Sequence, residues 1–75
     1  MARLPRPSGK EMVRFLTRRG FNLIRVSGSH HFMDDSTHRT SVPVHADRPL
    51  KIGTLRSILR DIELSPADFE REWHN

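Results

Sequence analysis

The chain has 75 residues, no cysteine and a formal net charge of +4. That length is read as one domain, 1–75, with a compact core and no room for a deep enclosed cavity, so any site is expected on the surface. Without cysteine there is neither disulfide stapling nor thiol catalysis, and no apolar run resembles a secretory leader or reaches the roughly 20 residues that span a bilayer. The expectation is a soluble, cytoplasmic protein with no membrane partner.

The charge is unevenly spread. Residues 1–60 carry 12 Lys and Arg against 4 Asp and Glu, whereas residues 61–75 carry Arg71 against five carboxylates. A basic body with an acidic end suits a polyanionic partner, and it equally suits a solvated surface with no partner.

In chain order, a Pro-rich lead-in runs through Pro7. Ser8 and Glu11 have the spacing of a capping box, Met12, Phe15 and Leu16 recur at helical spacing, and Gly20 is a natural stop, which predicts a helix over 9–19. Lys10, Arg14 and Arg18 fall on another face of it. Phe21 to Val26, rich in apolar and β-branched residues, reads as a strand, and Ser27-Gly28-Ser29 as a turn. A second strand follows from His30 to Asp34, then a polar loop, Asp35-Ser36-Thr37-His38. The third strand is expected over Arg39 to His45, with Thr40, Val42 and Val44 alternating against Ser41, Pro43 and His45. Pro43 cannot donate to a ladder and places this strand at an edge or a bulge.

Beyond Asp47-Arg48-Pro49, the stripe Leu55, Ile58, Leu59, Ile62 predicts a second helix that starts near Lys51-Ile52-Gly53-Thr54. Ser65-Pro66-Ala67-Asp68 then opens a short helix whose Phe69 and Trp73 pack back on the domain. The fold class is α+β: an α-β-β-β-α order with a three-stranded antiparallel sheet, helices on one face, and a short C-terminal helix. This is the arrangement of double-stranded-RNA-binding domains, an analogy of fold that does not itself fix a function.

Five histidines are the main chemical signal. No pair has the i, i+4 spacing of a helical zinc motif, and the adjacent His30 and His31 point to opposite faces of a strand, which argues against a metal site. His38 and His74 read as surface residues. His30 follows a glycine turn and opens a strand at the rim of the sheet. Position alone leaves it open between a rim contact and a proton-transfer group working near neutrality. Lys51 before the second helix and Lys10 in the first each bring a cation to free backbone N–H groups, a combination that attracts phosphate and also occurs in ordinary capping.

The motifs taken together are specific. Ser8-Gly9-Lys10-Glu11, Gly20-Phe21, Gly28-Ser29-His30-His31, Val42-Pro43-Val44-His45, the run Gly53 to Arg60 and Leu64-Ser65 occur in this order and at this spacing. From Ser8 to Phe69 the chain resembles the HicA toxins, also called YcfA-like mRNA interferases. The resemblance implies a fold like that of double-stranded-RNA-binding domains, cleavage of RNA, and neutralisation by a HicB-type antitoxin in a hetero-oligomer. It also implies a catalytic role for the histidine of the Gly-Ser-His sequence, which is His30; no role carries over to His31, and those of His31 and His45 stay open.

The chemistry expected is attack of an RNA 2′-hydroxyl on the neighbouring phosphate, with no metal and no cofactor. It needs a proton acceptor, a proton donor and positive groups on the phosphoryl oxygens. His30 fills one proton-transfer role, and no second acid or base stands out. Lys10, Arg25, Gly28, Ser29, Arg39, Lys51, Gly53 and Thr54 are the candidate RNA contacts. The alternative is a non-catalytic RNA-binding module in which His30 is only a rim contact; a third reading is an interaction domain with no nucleic-acid partner.

Overall fold

The computed structural model describes residues 4–74; residues 1–3, part of the expected lead-in, and residue 75 lie outside the described residues. The order is α1 (Gly9–Arg18), β1 (Asn22–Ser27), β2 (His30–Asp34), β3 (Arg39–Pro43), α2 (Ile52–Asp61) and α3 (Pro66–Trp73). The strands form an antiparallel sheet in the order β1-β2-β3, so the expected α-β-β-β-α fold is the observed one.

Local chemistry sets the helix limits. The Ser8 hydroxyl accepts from the Glu11 N–H, and the Glu11 carboxylate accepts from the Ser8 N–H at 2.9 Å, closing the capping box. At the other end Phe21 N–H donates to Leu16 C=O and Gly20 N–H to Thr17 C=O, with Gly20 at φ +97°. This paired return leaves Phe21 buried beside Leu16. Phe21 is thereby used as the helix stop, and β1 starts one residue later than the apolar run suggests. The same pair of bonds ends α2, from Glu63 N–H to Arg60 C=O and from Leu64 N–H to Leu59 C=O. Here the left-handed position belongs to Glu63, at φ +55°. α3 starts on Ser65, whose hydroxyl accepts from Asp68 N–H.

The core lies between the helices and one face of the sheet. Met33, Thr40 and Val42 are buried on that face, against Met12, Phe15 and Leu16 of α1 and Leu55, Ile58 and Leu59 of α2. Phe69 of α3 is fully buried and meets Phe15 edge-on at 4.9 Å, with Trp73 stacked obliquely on both. Burying a side chain of that size stabilises the fold by about 2–3 kcal/mol. The helices leave β1 largely uncovered: all six of its residues are exposed, with Leu23, Ile24 and Val26 each at 50%. A bulge between Leu23 and Arg25 leaves Ile24 without a partner across the ladder.

β3 ends at Pro43, two residues short of the expected strand. Val44 N–H still donates to Ser29 C=O at 2.8 Å, so by alternation the Pro43 nitrogen faces away from β2, where no donor is needed. On that outer side α1 crosses the strand at Gly9. A Cβ built on Gly9 would stand 2.2 Å from the Pro43 carbonyl oxygen and 2.9 Å from the Val44 Cα. The lead-in and the entry to α2 close around the same point, with Leu50 N–H donating to Pro7 C=O and Ser8 bridging Pro49.

Two predictions follow from this packing. Alanine in a helix normally gains about 1 kcal/mol over glycine, but at Gly9 it meets backbone that cannot yield. Gly9→Ala should therefore cost roughly 2 kcal/mol and lower Tm by about 10 °C; a neutral or higher Tm in a thermal melt would refute the close approach. The second concerns His38, which sits between Asp35 and Glu63 at 3.2 and 2.8 Å and ties the β2–β3 loop to the end of α2. Hydrogen bonds that its ring N–H groups donate to Asp35 and Glu63 raise its pKa above 6.5, while the His38 backbone N–H, foremost, lowers that of Asp35. A raised histidine stabilises below its unfolded pKa and loses that contribution as pH rises through the folded value; the lowered Asp35 contributes above its unfolded pKa. The Tm deficit of His38→Gln should accordingly be larger at about pH 5.5 than at about pH 8.5, and a deficit independent of pH would show that the bridge carries no charge.

Candidate functional site

The face of the sheet that the helices leave open carries one row from each strand. The register sets Ser27 and Arg25 of β1 opposite His30 and Phe32 of β2, and Pro43 and Ser41 of β3 on their other side. His31, the next residue, points to the helix side opposite Val26 and Val42, with its Nδ1 3.4 Å from Ser29 C=O. The adjacent imidazoles therefore lie on opposite faces, as strand alternation requires.

His30 opens β2 directly after the Gly28-Ser29 turn. Gly28 has φ +59° while Ser29 is not left-handed, the pattern of a II′ hairpin turn, which favours glycine at its first position. The His30 ring is exposed. Its Nδ1 lies 3.4 Å from Ser41 Oγ, and among the described residues no group bonds its Nε2. Phe32 is the neighbouring ring, 6.5 Å away between centroids, and the Arg25 guanidinium lies 4.6 Å above the centre of Phe32. That stacking holds Arg25 in place while no carboxylate among the described residues neutralises it.

The other expected contacts divide by position. Arg39 pairs with Asp34 at 3.2 Å at the opposite end of the strands, about 13 Å along β2 from His30. Lys51 is the N-cap of α2 and supplies no side-chain cap; no acidic residue stands in the first turn. With Pro43, His45, Arg48, Leu50 and Thr54 it lines a cleft of about 260 Å³. A second cleft, of about 420 Å³, meets the first at Thr54 and runs between Ser41 and Gly53, Ser57 and Asp61 of α2. Both follow the outer edge of β3, one beside Pro43 opposite His30 and the other beside Ser41. Lys10 is exposed just after Gly9, but its helix start is already filled by Ser8 and the Glu11 carboxylate. Gly28 shapes the turn, and an added Cβ on Gly53 would meet nothing.

Four side chains of this end were not singled out from the sequence as contacts: Ser41, Phe32, His45 and Arg48. Strand alternation from His30 carries the signal for Phe32, and cross-strand pairing that for Ser41. Nothing local marks Arg48, which the turn after β3 delivers to the cleft. Among the described residues no three His, Asp or Glu side chains gather closely enough to hold an ion, and no helix is long and apolar enough to cross a membrane.

Comparison with curated proteins finds no match. A comparison with protein families matches residues 9–64, α1 through the end of α2 with the whole sheet, to the HicA toxin of bacterial toxin–antitoxin systems. The match covers most of the chain, including His30, Ser41 and the Lys51 cleft, and the chain belongs to the HicA toxin family.

Proposed function

We propose that this toxin is a metal-independent endoribonuclease that cleaves mRNA through His30 and is silenced by a HicB-type antitoxin. The observation that supports it best is the exposed His30 imidazole, with Nδ1 beside a hydroxyl, Nε2 unoccupied, and unneutralised cations to either side. A hydroxyl donates as well as accepts, so Ser41 can satisfy Nδ1 whichever way the imidazole is protonated. Nε2 is then left to exchange a proton with substrate. Arg25 on one side, and Arg48 and Lys51 on the other, supply charge for consecutive phosphates, and the uncapped start of α2 adds N–H groups at Gly53 and Thr54.

RNA is the fitting substrate because its own 2′-hydroxyl is the nucleophile, which removes the need for a metal-activated water. An antitoxin that covers the open face would meet Arg25 and the Lys51 cleft, and acidic groups suit that contact. Such binding is competitive with RNA.

The deciding measurement is cleavage of labelled single-stranded RNA in excess EDTA. His30→Ala should lower the rate by about 10²- to 10⁴-fold, the range for loss of a general acid or base, with RNA affinity and thermal melt nearly unchanged. Full cleavage by the folded variant would end the assignment; binding without cleavage by the native chain would favour an RNA-binding module. Salt dependence tests the cations. Each phosphate contact adds a slope of about 0.7 for single strands, so Lys51→Glu should weaken binding to every sequence and flatten the slope by about that much. An unchanged slope would mean that the start of α2 does not meet phosphate.

A further inference from the structure

Cleavage by a 2′-hydroxyl moves two protons, and His30 accounts for one. We infer that His45 is the partner acid or base, so that two imidazoles share the reaction; the inference rests on the ribonuclease reading above. The ladder between β2 and β3 continues one step past Pro43 through the Val44 N–H bond to Ser29 C=O. The next residue, His45, therefore comes beside the turn that carries Ser29 into His30. Its Nε2 lies 3.4 Å from the hydroxyl of Ser29, the residue immediately before His30.

His45 thus follows two residues after Pro43, the partner of His30, and backbone positions so related across a ladder stand about 7–8 Å apart. Two exposed imidazoles on backbones so placed can reach one phosphoryl group. Both side chains are exposed, and His45 also forms a wall of the cleft with Arg48 and Lys51. Among the described residues nothing bonds His45 Nδ1 or His30 Nε2, so each ring has one nitrogen held near a serine hydroxyl and one free. No carboxylate competes for either ring: the described ion pairs of histidine are those of His38.

The step balances without a co-reactant. One imidazole removes the 2′-hydroxyl proton as the 2′-oxygen bonds phosphorus, and the protonated imidazole of the other gives its proton to the 5′-oxygen as the P–O5′ bond breaks. The products are a 2′,3′-cyclic phosphate and a 5′-hydroxyl, and the pair is left with its protons exchanged. Neither His31, on the helix face, nor His38, bound between two carboxylates, is placed to serve.

The test is the pH–rate profile of the full chain on single-stranded RNA, with His45→Ala and His45→Gln beside the native protein. Native kcat should follow a bell with an acid limb and a basic limb. Both variants should lose one limb and about 10²-fold or more in kcat, with KM changed little and melting curves retained. A substrate with sulfur in place of the 5′-oxygen has a leaving group that needs no proton. It should restore whichever histidine variant has lost the acid, and leave the other slow. An intact bell in His45→Gln, or a variant whose loss lies wholly in KM, would overturn the role for His45 while the ribonuclease reading stands. A native chain that leaves RNA intact would remove both.

Discussion

The crossing of α1 over β3 at Gly9 and Pro43 is the constraint on which the exposed end of the sheet depends. The helix backbone lies so close to the Pro43 carbonyl that no side chain fits between them. Pro43 is also the residue opposite His30, the last residue of β3 and a wall of the Lys51 cleft. A single backbone contact therefore fixes the helix start, the end of the strand and the place where the chain turns toward α2. The lead-in strengthens it: Arg6 donates to Leu50 C=O, Leu50 N–H donates to Pro7 C=O, and Leu50 is buried. Because Pro lacks a donor, the crossing strands no buried N–H.

The opposite end of the sheet is held by polar contacts instead. Thr40 donates to Asp61 at 2.9 Å, Asp34 pairs with Arg39, and His38 spans Asp35 and Glu63. Carboxylates are therefore spent at that end and, through Glu72 on Arg19 and Asp68 on Arg71, around α3. Around His30 the cations Arg25, Arg48 and Lys51 have no such partners among the described residues. The uneven charge along the sequence becomes an uneven surface because the acidic C-terminal segment packs behind the helices, through Phe69 and Trp73 against Phe15, and not over the open face. A surface arranged in that way attracts a polyanion to one end of the sheet.

Which parts were legible in the sequence follows from how far each interaction reaches. The capping box at Ser8, the stop at Gly20, the Ser65 cap and the apolar stripe of α2 act within one or two helical turns, and all are present. The opposite orientation of His30 and His31 needs only strand alternation. The bulge at Ile24 was hidden: strict pairing from the Ser27–His30 turn sets Arg25 opposite Phe32, as observed, but would put Ile24 opposite Met33, where Leu23 stands instead. Glu63 in the left-handed region was hidden for a similar reason. Backbone preference asks for glycine there, and the side chain earns its place through His38, 25 residues away in the chain. The strand after Pro43 was read too long because sequence alternation continues in Val44 and His45, whereas the ladder keeps only the Val44 N–H bond to Ser29.

The open face carries its own consequence. A small domain has surface to spare and little interior, so a site built on a bare sheet costs the core nothing: Met33, Thr40 and Val42 face the helices while His30, Phe32 and Ser41 face solvent from the same strands. The disadvantage is that nothing excludes water or a wrong ligand. β1 sharpens this, since it leaves three half-exposed apolar side chains and an unpaired edge beside Arg25, features that isolated soluble domains usually blunt. Here the bulge at Ile24 disturbs pairing along that edge. A toxin of a toxin–antitoxin system has a physical reason to keep such a surface: half-exposed apolar side chains along a sheet edge are suited to contact with a protein, and a partner can close that edge without any rearrangement of the fold that carries it.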